Sequence, residues 1–165
     1  MVNPLIHEIE LCPPETFRIL LEHEVNRSHR YGDSLSLVHG LVEADPFTPA
    51  NQLSAEVFMI NALNVHLRAT DVASKKGNYF RLLLPATGAQ GARTACERLK
   101  KLMTVEAQPY DRVSFKLYTF IGLATLPEDD PSVTSDILTQ HAIQALEHAR
   151  THRLTGVIYF SDLPK

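Results

Sequence analysis

An Arg-x-x-Asp, Arg68 and Asp71, stands just upstream of a lysine-containing turn and raises the question of whether this stretch carries chemistry. A guanidinium presents a planar fork of N–H donors to a phosphate or a base edge, and a carboxylate accepts from ring N–H groups. The same residues have a plainer use. Arg68 would sit at the end of a helix, where a cation is favoured, with Asp71 as its surface partner and Arg98 as one more charge on a solvated face. Just downstream, Lys75-Lys76-Gly77-Asn78 separates two strand-forming runs and reads as a tight hairpin turn, with Tyr79 and Phe80 opening the second run. The two lysines offer point charges to a phosphate, but a solvated turn is the expectation.

Eight histidines raise the question of a metal. His141 and His148 stand seven apart on one expected helix, and His148 and His152 four apart. No acidic or Cys partner stands at a recognised ligand spacing, so solvated helix histidines are expected, with no metal and no cofactor. Cys12 and Cys96 are the only cysteines and lie far apart, which favours reduced thiols and a cytoplasmic setting over a disulfide.

Composition narrows the classes further. With 165 residues, 44% hydrophobic and 21% charged, the chain reads as one ordinary globular domain with a substantial core. A net charge of -3 argues against nucleic-acid binding. No apolar run approaches the roughly 18–20 residues of a membrane span, and the N-terminus lacks a basic region followed by an apolar stretch, so no membrane segment and no signal peptide are expected.

The elements that must position these side chains follow from periodicity. Residues 15–31 place Phe17, Leu20, Leu21 and Val25 on one face, after Pro13-Pro14, as an amphipathic helix. Residues 34–44 alternate as a strand, with Leu35, Leu37 and Leu41 in step. Residues 52–67 are apolar almost all round and predict a well-buried helix. Hairpin strands follow at about 70–75 and 78–84. A helix over 88–104 carries the stripe Ala92, Ala95, Cys96, Leu99, Leu102 and Met103. A long strand over 112–126 alternates Val113, Phe115, Leu117, Ile121 and Leu123. A last helix is striped by Ile137, Leu138, Ala142, Ala145, Leu146 and Ala149, and "TGVIYFS" closes as a strand. The plan is α+β: a ferredoxin-like βαββαβ core with a five-stranded mixed sheet flanked by helices, residues 1–14 forming an extension and 15–165 a single domain.

In this order, "FRILLEHEVNRSHRYGDSLSL", "LRATDVASKKGNYFRLLLP", "ARTACERLKKL", "FIGLATLPEDD" and "AIQALEHARTHRLTGVIYF" make the sequence resemble a GGDEF domain, the bacterial diguanylate cyclase family. The resemblance runs from about residue 15 to 160. It implies a dimer that joins two GTP molecules into cyclic di-GMP, with carboxylates holding divalent metals at the end of the first strand and at the signature hairpin. Here the signature reads Lys76-Gly77-Asn78-Tyr79-Phe80. Asn78 is neutral and Tyr79 is a phenol with an ordinary pKa of about 10. The first strand offers Leu41, or at best Glu43, where the family has its metal Asp. Lys76 replaces the first signature Gly and occupies space a phosphate would use. The guanine-binding stretch after the first strand is absent, "DPFTPANQLSAEVF" running straight into the helix. No catalytic residue, metal or turnover is therefore expected.

By the same resemblance, Arg68, Asp71 and Arg98 match the family's product-inhibition site, and Arg150 stands where the family has a phosphate-contacting Lys. Asp71 lies one residue nearer the signature than the family places it, which matters because adjacent strand residues face opposite ways. Two functions are expected from this. The first is a non-catalytic regulatory module acting through contacts with a signalling protein or a second copy of itself. The alternative is a cyclic di-GMP receptor built on Arg68, Asp71 and Arg98. The apolar, Pro-containing segment 44–60, which includes Phe47, Phe58 and Met59, is expected to be covered by the chain itself or by a partner.

Overall fold

The structure, a computed structural model, describes residues 11–103 and 115–165. The chain runs α1 (Pro14–Tyr31), β1 (Leu35–Asp45), α2 (Pro49–His66), β2 (Val72–Lys76), β3 (Tyr79–Pro85), α3 (Ala89–Met103), β4 (Lys116–Thr125), α4 (Ser135–Thr151) and β5 (Val157–Tyr159), then a 3-10 turn over Phe160–Asp162. The strands form one five-stranded sheet in the order β2-β3-β1-β4-β5. β1 runs antiparallel to both β3 and β4, β2 and β3 form the hairpin, and β5 joins β4 in parallel. This is the expected βαββαβ plan with one parallel strand added.

Alternation along β1 divides the interior into two cores. Val38, Val42 and Ala44 face α2 and α3, where Met59, Leu63, Cys96, Leu99 and Met103 meet them. Leu35 and Leu37 face the other way, toward Phe17, Leu21 and Val25 of α1 and Leu138 and Ala142 of α4. Each fully buried Leu or Phe here is worth about 1.5–3 kcal/mol. Helix ends are set locally. Thr48 and Thr134 cap α2 and α4 by accepting from Asn51 N at 3.1 Å and Ile137 N at 3.3 Å, and α1 stops at Gly32 with φ 71°. Close approach decides two further glycines. A Cβ on Gly40 would lie 2.0 Å from Phe80 Cζ, and one on Gly122 would lie 2.2 Å from Leu146 N of α4.

Four expectations need correction. Helix α2 is not buried all round: Leu53, Val57 and Val65 are 63%, 51% and 72% exposed. They recur every four or eight residues, so they share one face that the sheet does not reach. Within the 44–60 segment Met59 is fully buried and Phe58 packs partly on the core, whereas Phe47 is exposed. Leu20 and Ile137, expected inward, sit at the rims of their stripes. Strand β2 begins at Val72 rather than near 70, because residues 68–71 close a turn of their own. Val113 and residues 1–10 lie outside the described residues. Of the expected extension, Leu11 packs against the first core and Cys12 N donates to Ala73 O at 2.8 Å, so this part docks on the β2 edge. Both cysteines are free, and burial pushes the Cys96 thiol up to about 12. Among the described residues, no helix is long and apolar enough to cross a membrane.

Candidate functional site

Strands β1 and β3 set the hairpin against the end of β1, with Gly40 opposite Phe80 and Leu41 opposite Tyr79. Phe80 is fully buried, its ring lying where a side chain on Gly40 would be. Lys76 ends β2, and Gly77 and Asn78 make the two-residue turn, with Gly77 at φ 57°, a conformation that favours glycine. Asn78 is tied to β1 twice: its carbonyl accepts from Val42 N at 3.0 Å and its Nδ2 donates to Val42 O at 2.7 Å. Lys75 leaves the hairpin for α2, where its Nζ lies 3.6 Å from Glu56.

The resemblance sets Leu41 or Glu43 of β1, and Asn78 and Tyr79 of the hairpin, where metal-holding carboxylates would stand; of these, Leu41 and Tyr79 face each other across the sheet. Both pack against Phe120, Leu146 and Ala149 in a small apolar cluster. The Tyr79 hydroxyl bonds to His39 Nδ1, and burial pushes the phenol up to about 12, so it stays protonated at neutral pH. Glu43, two residues beyond Leu41, accepts from Arg153 Nη1 at 2.8 Å. That guanidinium also lies over the Phe120 ring at 4.8 Å and the Tyr118 ring at 5.3 Å. Divalent cations of the magnesium type need several oxygen ligands, most of them anionic. An aliphatic side chain, a neutral phenol and a carboxylate already held by an arginine do not fit one. Among the described residues, no group of three or more His, Cys, Asp and Glu could hold a metal. A cavity of about 620 Å³ opens beside this cluster, lined by Glu43, Asp45, Phe47, Asn78, Arg150 and Arg153. Its charges are mixed, and Arg150 is already paired with Glu147 at 3.2 Å.

The three residues singled out for ligand binding come together. Arg68, Asp71 and Arg98 line one cavity of about 300 Å³, with His66 of α2 and Thr87 and Thr94 at the start of α3. The one-residue shift does not turn Asp71 away, because Asp71 precedes β2 and the turn absorbs the change in register. Within that turn Asp71 N donates to Arg68 O at 3.0 Å, and the Asp71 carboxylate accepts from Arg68 N at 2.9 Å and Nη2 at 3.3 Å. The Asp71 side chain is only 5% exposed, so its carboxylate closes the turn before it can meet a ligand. Arg68 is more open, at 58%, and is braced by Thr87 Oγ1 and by Pro85 O at 3.5 Å. Arg98 is exposed, with no carboxylate within ion-pair distance among the described residues. The cavity thus presents two guanidinium groups with N–H donors to spare, a geometry suited to phosphate.

The His148 and His152 rings lie tilted at 30°, 4.1 Å between centres, at the C-terminal end of α4, and His152 Nδ1 meets the His148 carbonyl at 2.9 Å. Reasoning from sequence missed His39, Arg81 and Arg153. His39 carried one signal: a histidine at an inward position of a strand that is otherwise apolar. Arg153 carried none, since its partner Glu43 is 110 residues away.

No protein-family sequence profile matches the chain, and no curated protein matches it in sequence. Solved structures do match. The GGDEF domain of DgcB from Caulobacter crescentus, determined in complex with c-di-GMP, superposes with a TM-score of 0.74 at 13% identity, covering 92% of this chain and 90% of that one. The FimX GGDEF domain from Pseudomonas aeruginosa gives 0.74 at 14% identity, covering 95% and 97%. The diguanylate cyclase SiaD from Pseudomonas aeruginosa, in complex with its activator SiaC, gives 0.75 at 20% identity, covering 92% of this chain and 62% of SiaD. At such identities the likeness is one of architecture, and by that measure the chain has the fold of a GGDEF domain.

Proposed function

We propose that this domain is a non-catalytic, cytoplasmic GGDEF-like module that regulates a bacterial signalling system through protein contacts. The observation that carries the reading is the Leu41–Tyr79 pair, packed on Phe120, Leu146 and Ala149 at positions where the resemblance would put metal-holding carboxylates. Glu43, the other candidate position on the strand, is already paired with Arg153. The exposed apolar face of α2 supports protein contacts as the output, and SiaD, 62% of which this chain covers, has been determined in complex with its activator SiaC. Incubation with GTP and Mg or Mn should yield no cyclic di-GMP by chromatography. Turnover that disappears in Glu43→Ala would overturn the reading.

A second reading is favoured by a separate observation, the convergence of Arg68, Asp71 and Arg98 on one cavity. A structure of this fold has been determined with cyclic di-GMP. In this reading Arg68 and Arg98 contact the dinucleotide, and Asp71 positions Arg68 through the turn. Calorimetric titration then shows cyclic di-GMP binding that falls roughly ten- to hundredfold in Arg68→Ala, the cost of a lost charge-assisted contact. Absence of binding at high micromolar ligand leaves the protein-contact module alone.

A further inference from the structure

The sheet face covered by α1 and α4 holds a second cavity, of about 330 Å³, lined on the sheet side by His39, Ser74, Lys76, Tyr79 and Arg81 and on the helix side by Ile143 of α4. Arg68 and Arg98 lie across the sheet, on the α2 and α3 side, so the two cavities are separate. The volume is that of a small-molecule site.

Its chemistry is one-sided. Arg81 has no carboxylate within ion-pair distance among the described residues, and neither has Lys76. The guanidinium makes two long contacts, to Pro14 O and Ser74 Oγ at 3.4 Å each, and rests over the Phe17 ring at 4.4 Å. That leaves most of its donors unused. His39 is buried, at 2% exposed, and its Nε2 has no hydrogen-bond partner, although Nδ1 is bonded to the Tyr79 hydroxyl. A buried polar atom left unpaired costs about 1–3 kcal/mol, so it marks a place where a partner is missing. Burial and the nearby Arg81 push the His39 pKa down to about 3, so the ring is neutral and carries one donor. With Tyr79 donating to Nδ1, that donor is Nε2–H. A cation would meet two like charges here, whereas an anion would meet two cations and a neutral donor. Pro14 and Ile143 add apolar wall, which suits a compact body behind the charged head.

We propose that this cavity binds a small organic anion, its carboxylate or phosphoryl head held by Arg81 and Lys76 with a hydrogen bond from His39, and its compact apolar body against Ile143 and Pro14. The test uses the full chain, with benzoate and phenyl phosphate as probes and benzyl alcohol as the neutral counterpart. Calorimetry gives millimolar or tighter binding for at least one anion, at least about tenfold tighter than for the alcohol. The His39 Nε2 resonance moves on titration, and the preferred anion tells a carboxylate site from a phosphoryl site. Arg81→Gln weakens the anion by at least about tenfold. Ile143→Trp abolishes it by filling the cavity from α4, and because Ile143 is 38% exposed the replacement should shift stability by no more than about 0.5 kcal/mol. Should Arg81→Gln fail to fold, Ile143→Trp decides alone. The proposal is overturned if neither anion binds below about 10 mM, if benzyl alcohol binds equally well, or if binding persists in a folded variant.

Discussion

Tyr79 joins two environments: its ring belongs to the Phe120 cluster and its hydroxyl meets the buried His39. The consequence for stability has a definite sign. His39 is depressed from 6.5 to about 3 in the folded chain, so between those values only the unfolded chain binds the proton. Stability is complete above about 6.5 and falls as pH drops toward about 3, by at most about 1.4 kcal/mol per pH unit. Urea unfolding at pH 7 and pH 5 should differ by about 2 kcal/mol from this group. His141, also lowered by burial, pulls the same way, so the comparison is with His39→Gln, which keeps a polar group but cannot titrate. Equal pH dependence in the two proteins would rule His39 out as the source. At this scale Arg68, Asp71 and Arg98 were legible as a set through the resemblance, since nothing in their spacing alone joins Arg98 to the other two. It did not reveal that the Asp71 carboxylate closes a turn on Arg68 N, because that depends on where β2 begins.

Gly122 is where element packing is tightest. A Cβ there would lie within 2.2–2.8 Å of the Leu146 and Ala142 backbone, so α4 rests directly on β4. Backbone cannot yield as a flexible side chain can. Gly122→Ala should cost about 1–3 kcal/mol by overpacking. Gly156 has open space around it and serves as the control, with Gly156→Ala expected within about 0.5 kcal/mol of wild type. Urea titrations of the two variants check this, and equal stabilities would mean that α4 shifts outward at little cost. Most elements were legible because their periods are clean, as in the Ala92, Cys96, Leu99 and Met103 stripe of α3. Helix α2 misled because its outward row is as apolar as its inward one, and hydrophobicity alone cannot say which face meets the sheet.

For the molecule as a whole, that outward row matters more than any cavity. Leu53, Val57 and Val65 form an apolar strip on α2, and large exposed strips of this kind are commonly contact surfaces. Val57→Glu with Val65→Glu should leave thermal stability nearly unchanged, within about 0.5 kcal/mol per site, because both positions are open to solvent. Sedimentation of the wild type should show a mass that rises with concentration, and the double variant should remain monomeric. A wild type that stays monomeric throughout would show that the strip does not pair with itself. Overall architecture was readable from the sequence because five short segments keep their order and spacing across the chain. Which helix faces stay uncovered was not, since that depends on the sheet's width and curvature.

The Leu41–Tyr79 pair has a consequence for redesign. Placing carboxylates at both positions would set two like charges beside Phe120, Leu146 and Ala149 and remove the Tyr79 hydroxyl that bonds to the buried His39. With no metal yet bound, each intermediate sequence would be less stable than the one before it. Glu43 would remain engaged by Arg153, and Arg153 would need to change as well. Installing a metal site at this cluster by substitution would therefore cross several losses in stability before any gain in binding.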